Sequence, residues 1–385
     1  MGQRHYLGSF AVWAVATAAL FSCAPEEEKS HPEILAEVNG KIVGLSREEA
    51  DSVCKDHFCE KNQIYTASFG RRRRPEPPAV EPPAPPKPAP TPTATPTPTP
   101  TQGVETLDYS RRVLRMPEAW AITEGSPEVV VAVVDSGVSY NHPDLAGNIL
   151  SPGYDFYHNR DGAMDDNGHG THCAGITGAL KNGFGVRGIS PKVKILPLKF
   201  LGSNGSGDTA DAVGAIDYAV AHGAKVISNS WGGGGYSALL DQAIQRAVQA
   251  GVLVVAAAGN DNNNNDVTPS YPANYANVIA VGSTDSNDNR SSFSSYGRNS
   301  VMVMAPGSNI FSTYLNGGYA TLSGTSMATP QVSGALALAL SLKRDVSASE
   351  MKDMLCSTSE PILKSYSRCG RMDVGALVEE VSKAK

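Results

Sequence analysis

The sequence predicts an α/β fold in three layers, a largely parallel central sheet flanked by helices, and three observations carry that prediction. Apolar runs of strand length, such as residues 129–134 and 252–257, are continuous rather than alternating, the pattern of strands covered on both faces. Stretches of helical length with one apolar side, such as 209–222 and 238–250, fall between those runs. The two kinds of segment alternate from residue 104 to the carboxyl end without an internal repeat, as expected of a parallel sheet with crossover helices.

Taken in order, the chain opens with Arg4 and His5, an apolar segment over residues 7–21, and Ser22-Cys23. That segment is too short to span a membrane and reads as a secretory signal peptide, residues 1–22. Residues 23–30 are an acidic tether. Within residues 31–70, positions 34–45 read as an extended hairpin. Ser46 with Glu49 forms a capping box that opens a helix through residue 56 or so, and 63–69 returns as a strand. Residues 71–103 are dominated by Pro, Thr and Ala without apolar periodicity, which predicts an extended polyproline linker led by the solvated basic run Arg71 to Arg74. In residues 104–385, strands are expected at 129–134, 193–200, 225–229, 252–257, 278–283 and 301–305. Helices are expected at 170–178, 209–222, 238–250, 327–343 and 349–356.

A formal net charge of −6 over 385 residues argues against a nucleic-acid partner. An exported chain permits disulfides, and the cysteines near one another are Cys54 with Cys59 and Cys356 with Cys369. Two local bridges are expected on that basis, although sequence does not fix connectivity, and Cys173 is left as a thiol.

The chemistry gathers at the ends of the apolar runs. Gly324-Thr325-Ser326-Met327-Ala328-Thr329-Pro330 is a glycine-led turn opening an apolar helix, where unpaired N–H groups favour negative charge near Ser326. A helix cap would use a serine there equally well. Two further stretches decide for chemistry. Residues 129–134 run into Asp135, at the carboxyl end of a buried strand where ligands bind in open sheets. Asn167-Gly168-His169-Gly170 places an imidazole between glycines. Asp135, His169 and Ser326 together supply a carboxylate, a base titrating near neutrality and a nucleophile. Residues 252–258 lead through Gly259 to Asn260, whose side-chain amide is suited to donate to a developing oxyanion. His172 falls on another helix face from His169 and is expected to be structural or exposed, whereas Cys173, four residues on, should sit beside His169 as a small buried hydrophobe.

With these stretches in this order the chain resembles the subtilisin-like serine proteases, the subtilases, leaning toward their thermitase and proteinase K branches. The resemblance runs from about Met116 through Gly375; no triad position departs from it, although Gln331 stands where many relatives have His. It implies substrate pairing as an extended strand with two backbone edges, here Gly205, Ser206 and Gly207 on one side and Ser230, Trp231 and Gly232 on the other. Ala258 and Gly259 would form the opposite pocket wall, with Asp261 at its rim and an apolar or broad preference before the cut bond. The resemblance further implies a structural calcium held by the side chains of Asp144 and Asn182 and the carbonyls of Leu180, Phe184 and Val186. Asp155, Asp161, Asp165 and Asp166 resemble a second calcium site, with a solvated acidic loop as the alternative. Residues 31–70 look like the second half of the family's inhibitory propeptide, or else form a spacer without inhibitory action. Leu20-Phe21-Ser22-Cys23 resembles the bacterial lipobox, which implies lipid on Cys23, a membrane anchor at the cell envelope, and release as a soluble fragment by a cut in the linker. The expectation is thus an exported, monomeric serine endopeptidase acting on polypeptides. A processing protease dedicated to one substrate and a catalytically silent peptide-binding protein on the same fold are the alternatives.

Overall fold

A computed structural model describes residues 32–38, 41–67, 104–343 and 345–384. The expected signal peptide, Cys23, the tether and the linker lie outside the described residues.

The N-terminal unit consists of β1 (Ile34–Val38), β2 (Lys41–Leu45), α1 (Arg47–Val53), β3 (Cys59–Lys61) and β4 (Ile64–Ala67). Ser46 and Glu49 form the expected capping box. The helix stops at Val53 rather than near residue 56, because Cys54, its C-cap, is bonded to Cys59 and the chain turns back at once into β3. That strand was not anticipated: it pairs with β1, so β1 is central in the order β2-β1-β3. Few side chains are buried inside this unit, chiefly Ala36, Leu45 and Ala50.

The second unit continues with α2 (Tyr109–Val113), α3 (Met116–Ile122), β5 (Val130–Asp135), β6 (Tyr154–Asp155), β7 (Arg160–Asp161), α4 (His169–Gly178), β8 (Lys194–Lys199), β9 (Ser206–Asp208) and α5 (Thr209–Ala221). Next come β10 (Val226–Asn229), β11 (Trp231–Gly232), α6 (Ala238–Gln249), β12 (Leu253–Ala257), β13 (Ile279–Thr284), β14 (Val303–Pro306), β15 (Ile310–Thr313), β16 (Tyr319–Leu322), α7 (Thr325–Leu340), α8 (Ala348–Thr358) and α9 (Val374–Lys383). The eight-stranded sheet has the order β14-β13-β12-β10-β5-β8-β6-β7. Its strands are parallel from β14 to β6, and β7 adds an antiparallel edge.

The continuous apolar runs are explained by the layers. In β5, Val131 and Val133 face the core that contains α4 and α7, while Ala132 and Val134 face the core that contains α5 and α6. In β12, Leu253 and Val255 divide from Val254 and Ala256 in the same way. Neither face is wet, so no polar residue interrupts the run until the strand emerges at its carboxyl end. Helix α7 is buried along its whole length. Helices α2, α3 and α9 were not expected; α9 packs on α3 and α7 through Leu377, Val378 and Val381. Cys356 is bonded to Cys369.

Candidate active site

Asp135 is the last residue of β5 and His169 the first of α4. Two glycines make their meeting sterically feasible. Gly168 caps α4 with φ of 98°, and a Cβ there would lie 2.4 Å from the Tyr314 ring. At Gly170 a Cβ would lie 2.1 Å from the Gly137 carbonyl, so only glycine lets the helix settle onto the strand end. His169 Nδ1 comes within 2.8 Å of Asp135 Oδ1, which also accepts from the Ser136 N–H at 2.7 Å. Both side chains are fully buried.

Ser326 is the second residue of α7, and its hydroxyl donates to the Ser230 carbonyl at 2.7 Å. Pro330 has no N–H, so the Ser326 carbonyl loses the helical donor four residues on. It accepts instead from Ser230 Oγ at 3.1 Å and from the Cys173 thiol at 3.5 Å. The proline therefore leaves the Ser326 peptide tied to Ser230, just before β11, and to α4. Asn260 follows β12. Its Oδ1 accepts from Thr325 N at 2.9 Å and Thr325 Oγ1 at 3.1 Å, leaving Nδ2 buried with no partner among the described residues. Such a donor is costly to bury idle.

The electrostatics separate the two histidines. Burial disfavours the charged form of His169, but the facing Asp135 carboxylate outweighs it and raises its pKa well above the ordinary value. His172 has no carboxylate and is pushed down to about 3 by burial. Fully buried rather than exposed, it lies 3.2 and 3.1 Å from the Ile310 and Ala320 carbonyls. The Cys173 sulfur lies 4.0 Å from His169 Nδ1, and burial pushes its pKa up, which keeps it a neutral thiol.

The two expected backbone edges are present, and β4 lies between them. It pairs antiparallel with β9 (Thr66 with Ser206, Tyr65 with Gly207) and with β11 (Ala67 with Trp231, Thr66 with Gly232). Ala67 N donates to the Gly205 carbonyl at 2.9 Å, one register step from Ser230, the residue that holds the Ser326 hydroxyl. Tyr65 is fully buried, edge-on to Trp231 at 5.1 Å between centroids. Upstream, the Glu60 carboxylate accepts from Ser237 Oγ and from Ala238 N at 2.8 Å, at the start of α6. Asn62 Oδ1 accepts from Thr209 N at the start of α5, at 3.1 Å. Nothing in the local sequence marks Glu60 or Asn62 for this. Gly259 N is bonded to Thr325 Oγ1 at 3.2 Å, beside Ser326 in the chain, and Ala258 is buried. Asp261 is exposed.

The expected calcium residues also come together. Asp144 is buried; its Oδ1 accepts from Asn182 Nδ2 at 3.0 Å and its Oδ2 from Val186 N at 2.8 Å and Tyr319 OH at 2.9 Å. Leu180 N is bonded to the Asp144 carbonyl, and Phe184 N to Asn182 Oδ1. Glu105, which the sequence did not suggest, reaches the same loop at Gly183 N. Asp144 and Asn182 bring side-chain oxygens of the type calcium takes, while here Val186 meets Asp144 through its N–H and Asn182 through its amide nitrogen.

The second acidic group does not converge on a common point. Asp155 is buried against His158 Nδ1 at 2.8 Å and Arg160 Nε at 3.2 Å. Asp165 is buried and accepts from Ser136 Oγ, Asn167 N, Gly168 N and Thr171. Asp166 pairs with Lys199, and Asp161 is exposed. Asp155, Asp165 and Asp166 are thus each met by protein donors, and Asp161 faces solvent.

The family model described as "Subtilase family" matches residues 126–374. The chain belongs to the subtilase family. Thermitase of Thermoactinomyces vulgaris is 48% identical over 255 residues, covering 66% of this chain and 88% of thermitase. Subtilisin DY of Bacillus licheniformis is 41% identical over 263 residues, 68% of this chain and 94% of the relative. Subtilisin Savinase of Lederbergia lenta is 46% identical over 210 residues, 54% and 75% of the two chains. This subtilase is a subtilisin-like serine endopeptidase. Among its described residues no helix is long and apolar enough to cross a membrane.

Proposed function

We propose that this subtilase cuts polypeptides through an acyl-enzyme formed on Ser326 and that its own N-terminal unit fills the cleft beforehand. His169 takes the Ser326 proton and returns it to the leaving amine, while Asp135 holds the ring's tautomer and balances its charge. The carbonyl oxygen that becomes negative is held by the Ser326 N–H and Asn260 Nδ2. The observation that carries this reading is the buried, unpartnered Asn260 Nδ2 beside a nucleophile and a carboxylate-paired histidine. Fluorophosphonate labelling of Ser326 tests it, since a silent peptide-binding protein would not be labelled.

Gly232, Gly233 and Gly259 leave room for large apolar or aromatic side chains before the cut bond, and Asp261 adds tolerance for Lys at the rim. A peptide-library profile confined to Gly or Asp there would contradict this. The same profile separates a broad degradative enzyme from one dedicated to a single substrate. The N-terminal unit serves as an inhibitory propeptide rather than a spacer, because β4 supplies the backbone pairing an extended substrate would make. A calcium ion held by Asp144, Asn182, Glu105 and the 180–186 loop supplies stability and no chemistry. The enzyme acts as a monomer, exported and lipidated on Cys23, and is freed by a cut in the linker. Membrane fractionation with N-terminal sequencing tests the last point: the Ser326→Ala chain should remain full length and membrane-bound.

A further inference from the structure

Lys199 ends β8 directly across from Asp135 in the parallel register. Its side chain is fully buried, and the triad chemistry makes no use of it. All three ammonium donors are spent. They reach the Ser136 carbonyl at 3.0 Å, the Leu201 carbonyl at 2.7 Å and Asp166 Oδ1 at 2.7 Å, with the Tyr157 ring 5.9 Å away. A buried ammonium is tolerated only when its donors are met in this way.

The three acceptors belong to three different parts of the site. Ser136 follows Asp135, donates its N–H to the Asp135 carboxylate and accepts Gly170 N from α4. Asp166 lies in the loop that enters α4 just before His169, next to Asp165, which is bonded to Ser136 Oγ and to the first N–H groups of that loop. Leu201 donates its N–H to the Asp135 carbonyl and begins the turn, closed by Gly202 N on Ser206 O, that carries β9 and the Gly205 carbonyl. One ammonium thus touches the turn behind the triad carboxylate, the loop before the triad base and the turn bearing one substrate edge.

We propose that Lys199 is a positioning residue for peptide hydrolysis, which holds the Asp135–His169 pair and the β9 substrate edge in a single register. Removing it leaves two carbonyls that can drift apart, so chemistry and edge binding should suffer together. This rests on the reading of Ser326 as nucleophile, which the labelling experiment tests separately.

The test compares Lys199→Met, Asp166→Asn and the double variant as full-length chains, brought to constant activity and corrected for folded fraction by near-ultraviolet circular dichroism. Two substrates are used: a peptide with four residues before the cut, and a single-residue amide. In Asp166→Asn the ammonium keeps both carbonyls, so this variant is the reference against which the double variant is read. The Lys199→Met/Asp166→Asn double variant carries no unpaired buried charge and should fold, less stably than Asp166→Asn because the Ser136 and Leu201 carbonyls lose their donor. Its kcat per folded molecule should nevertheless fall at least tenfold, and the advantage in kcat/KM of the long substrate over the short one should shrink at least fivefold. If the double variant folds with wild-type kcat and an unchanged long-to-short ratio, Lys199 only stabilises the fold and the proposal is wrong. A fall in kcat with the ratio unchanged would equally overturn the claimed link to the β9 edge. Should Lys199→Met alone fail to fold, the double variant still decides.

Discussion

Replacing Glu60 by Ala should loosen the N-terminal unit from the cleft without harming the released enzyme. Its carboxylate accepts from the Ala238 and Leu239 N–H groups, at 2.8 and 3.4 Å, and from Ser237 Oγ, at the positive end of α6. Hydrogen bonds to a charged group are worth about 1.5–3 kcal/mol net. These donors are part-buried, so water recovers some of the loss once the carboxylate is gone, and the long bond to Leu239 counts little. The expected cost is about 2 kcal/mol, or roughly thirtyfold in the affinity of the unit for the cleft. Activity of freshly purified full-length chain should appear after a lag set by dissociation of the cut unit. The Glu60→Ala lag should be shorter by about that factor, with Glu60→Gln in between because it keeps an oxygen acceptor. Final kcat should be unchanged, since Glu60 touches no catalytic group. If mass spectrometry shows the unit cut at the normal rate and the lag matches wild type within twofold, the cap on α6 contributes nothing to docking.

Ser326→Ala should remove activity by about a millionfold, the scale of nucleophile loss in subtilisin, with the fold intact; more than a few per cent residual activity in pure protein would reject the assignment. Because His169 must be neutral to act and Asp135 raises its pKa, kcat/KM should climb with pH along a limb centred above the ordinary value of about 6.5. Asp135→Asn should move that limb to lower pH while cutting kcat by about ten-thousandfold, and a limb unmoved in this variant would assign the titration to another group. Chelation should lower Tm by about 5–10 °C if calcium is normally near a hundredfold over its Kd. Asp144→Asn should erase that difference, and identical melting curves with and without chelator in wild type would exclude the ion. Reducing the Cys54–Cys59 bond, or replacing both cysteines by Ser, should destabilise the small N-terminal unit by about 2 kcal/mol and shorten the activation lag, while an unchanged lag would show that the unit docks without it.

By itself the sequence determined the features with a short-range cause. The double burial of β5 and β12 is written as unbroken Val and Ala runs, so the parallel sheet and the position of Asp135 at its carboxyl edge could be read directly. Gly168 and Gly170 around His169, and Pro330 four residues after Ser326, are residues that the local backbone requires. The oxygen donors of the 180–186 loop also lie close together in the chain. Tertiary structure decided what depends on residues far apart. Glu60 reaches α6 across 178 positions, and Asn62 meets Thr209 across 147. Which groups meet the acidic residues before His169, Lys199 for Asp166, Arg160 for Asp155 and backbone N–H groups for Asp165, is likewise visible only in the fold. The short strands β9 and β11 hold too few residues to show a period, and the strand legible at 63–69 does not name its partners. Their pairing exists only because the folded chain brings two backbone edges to the spacing that admits a third strand between them.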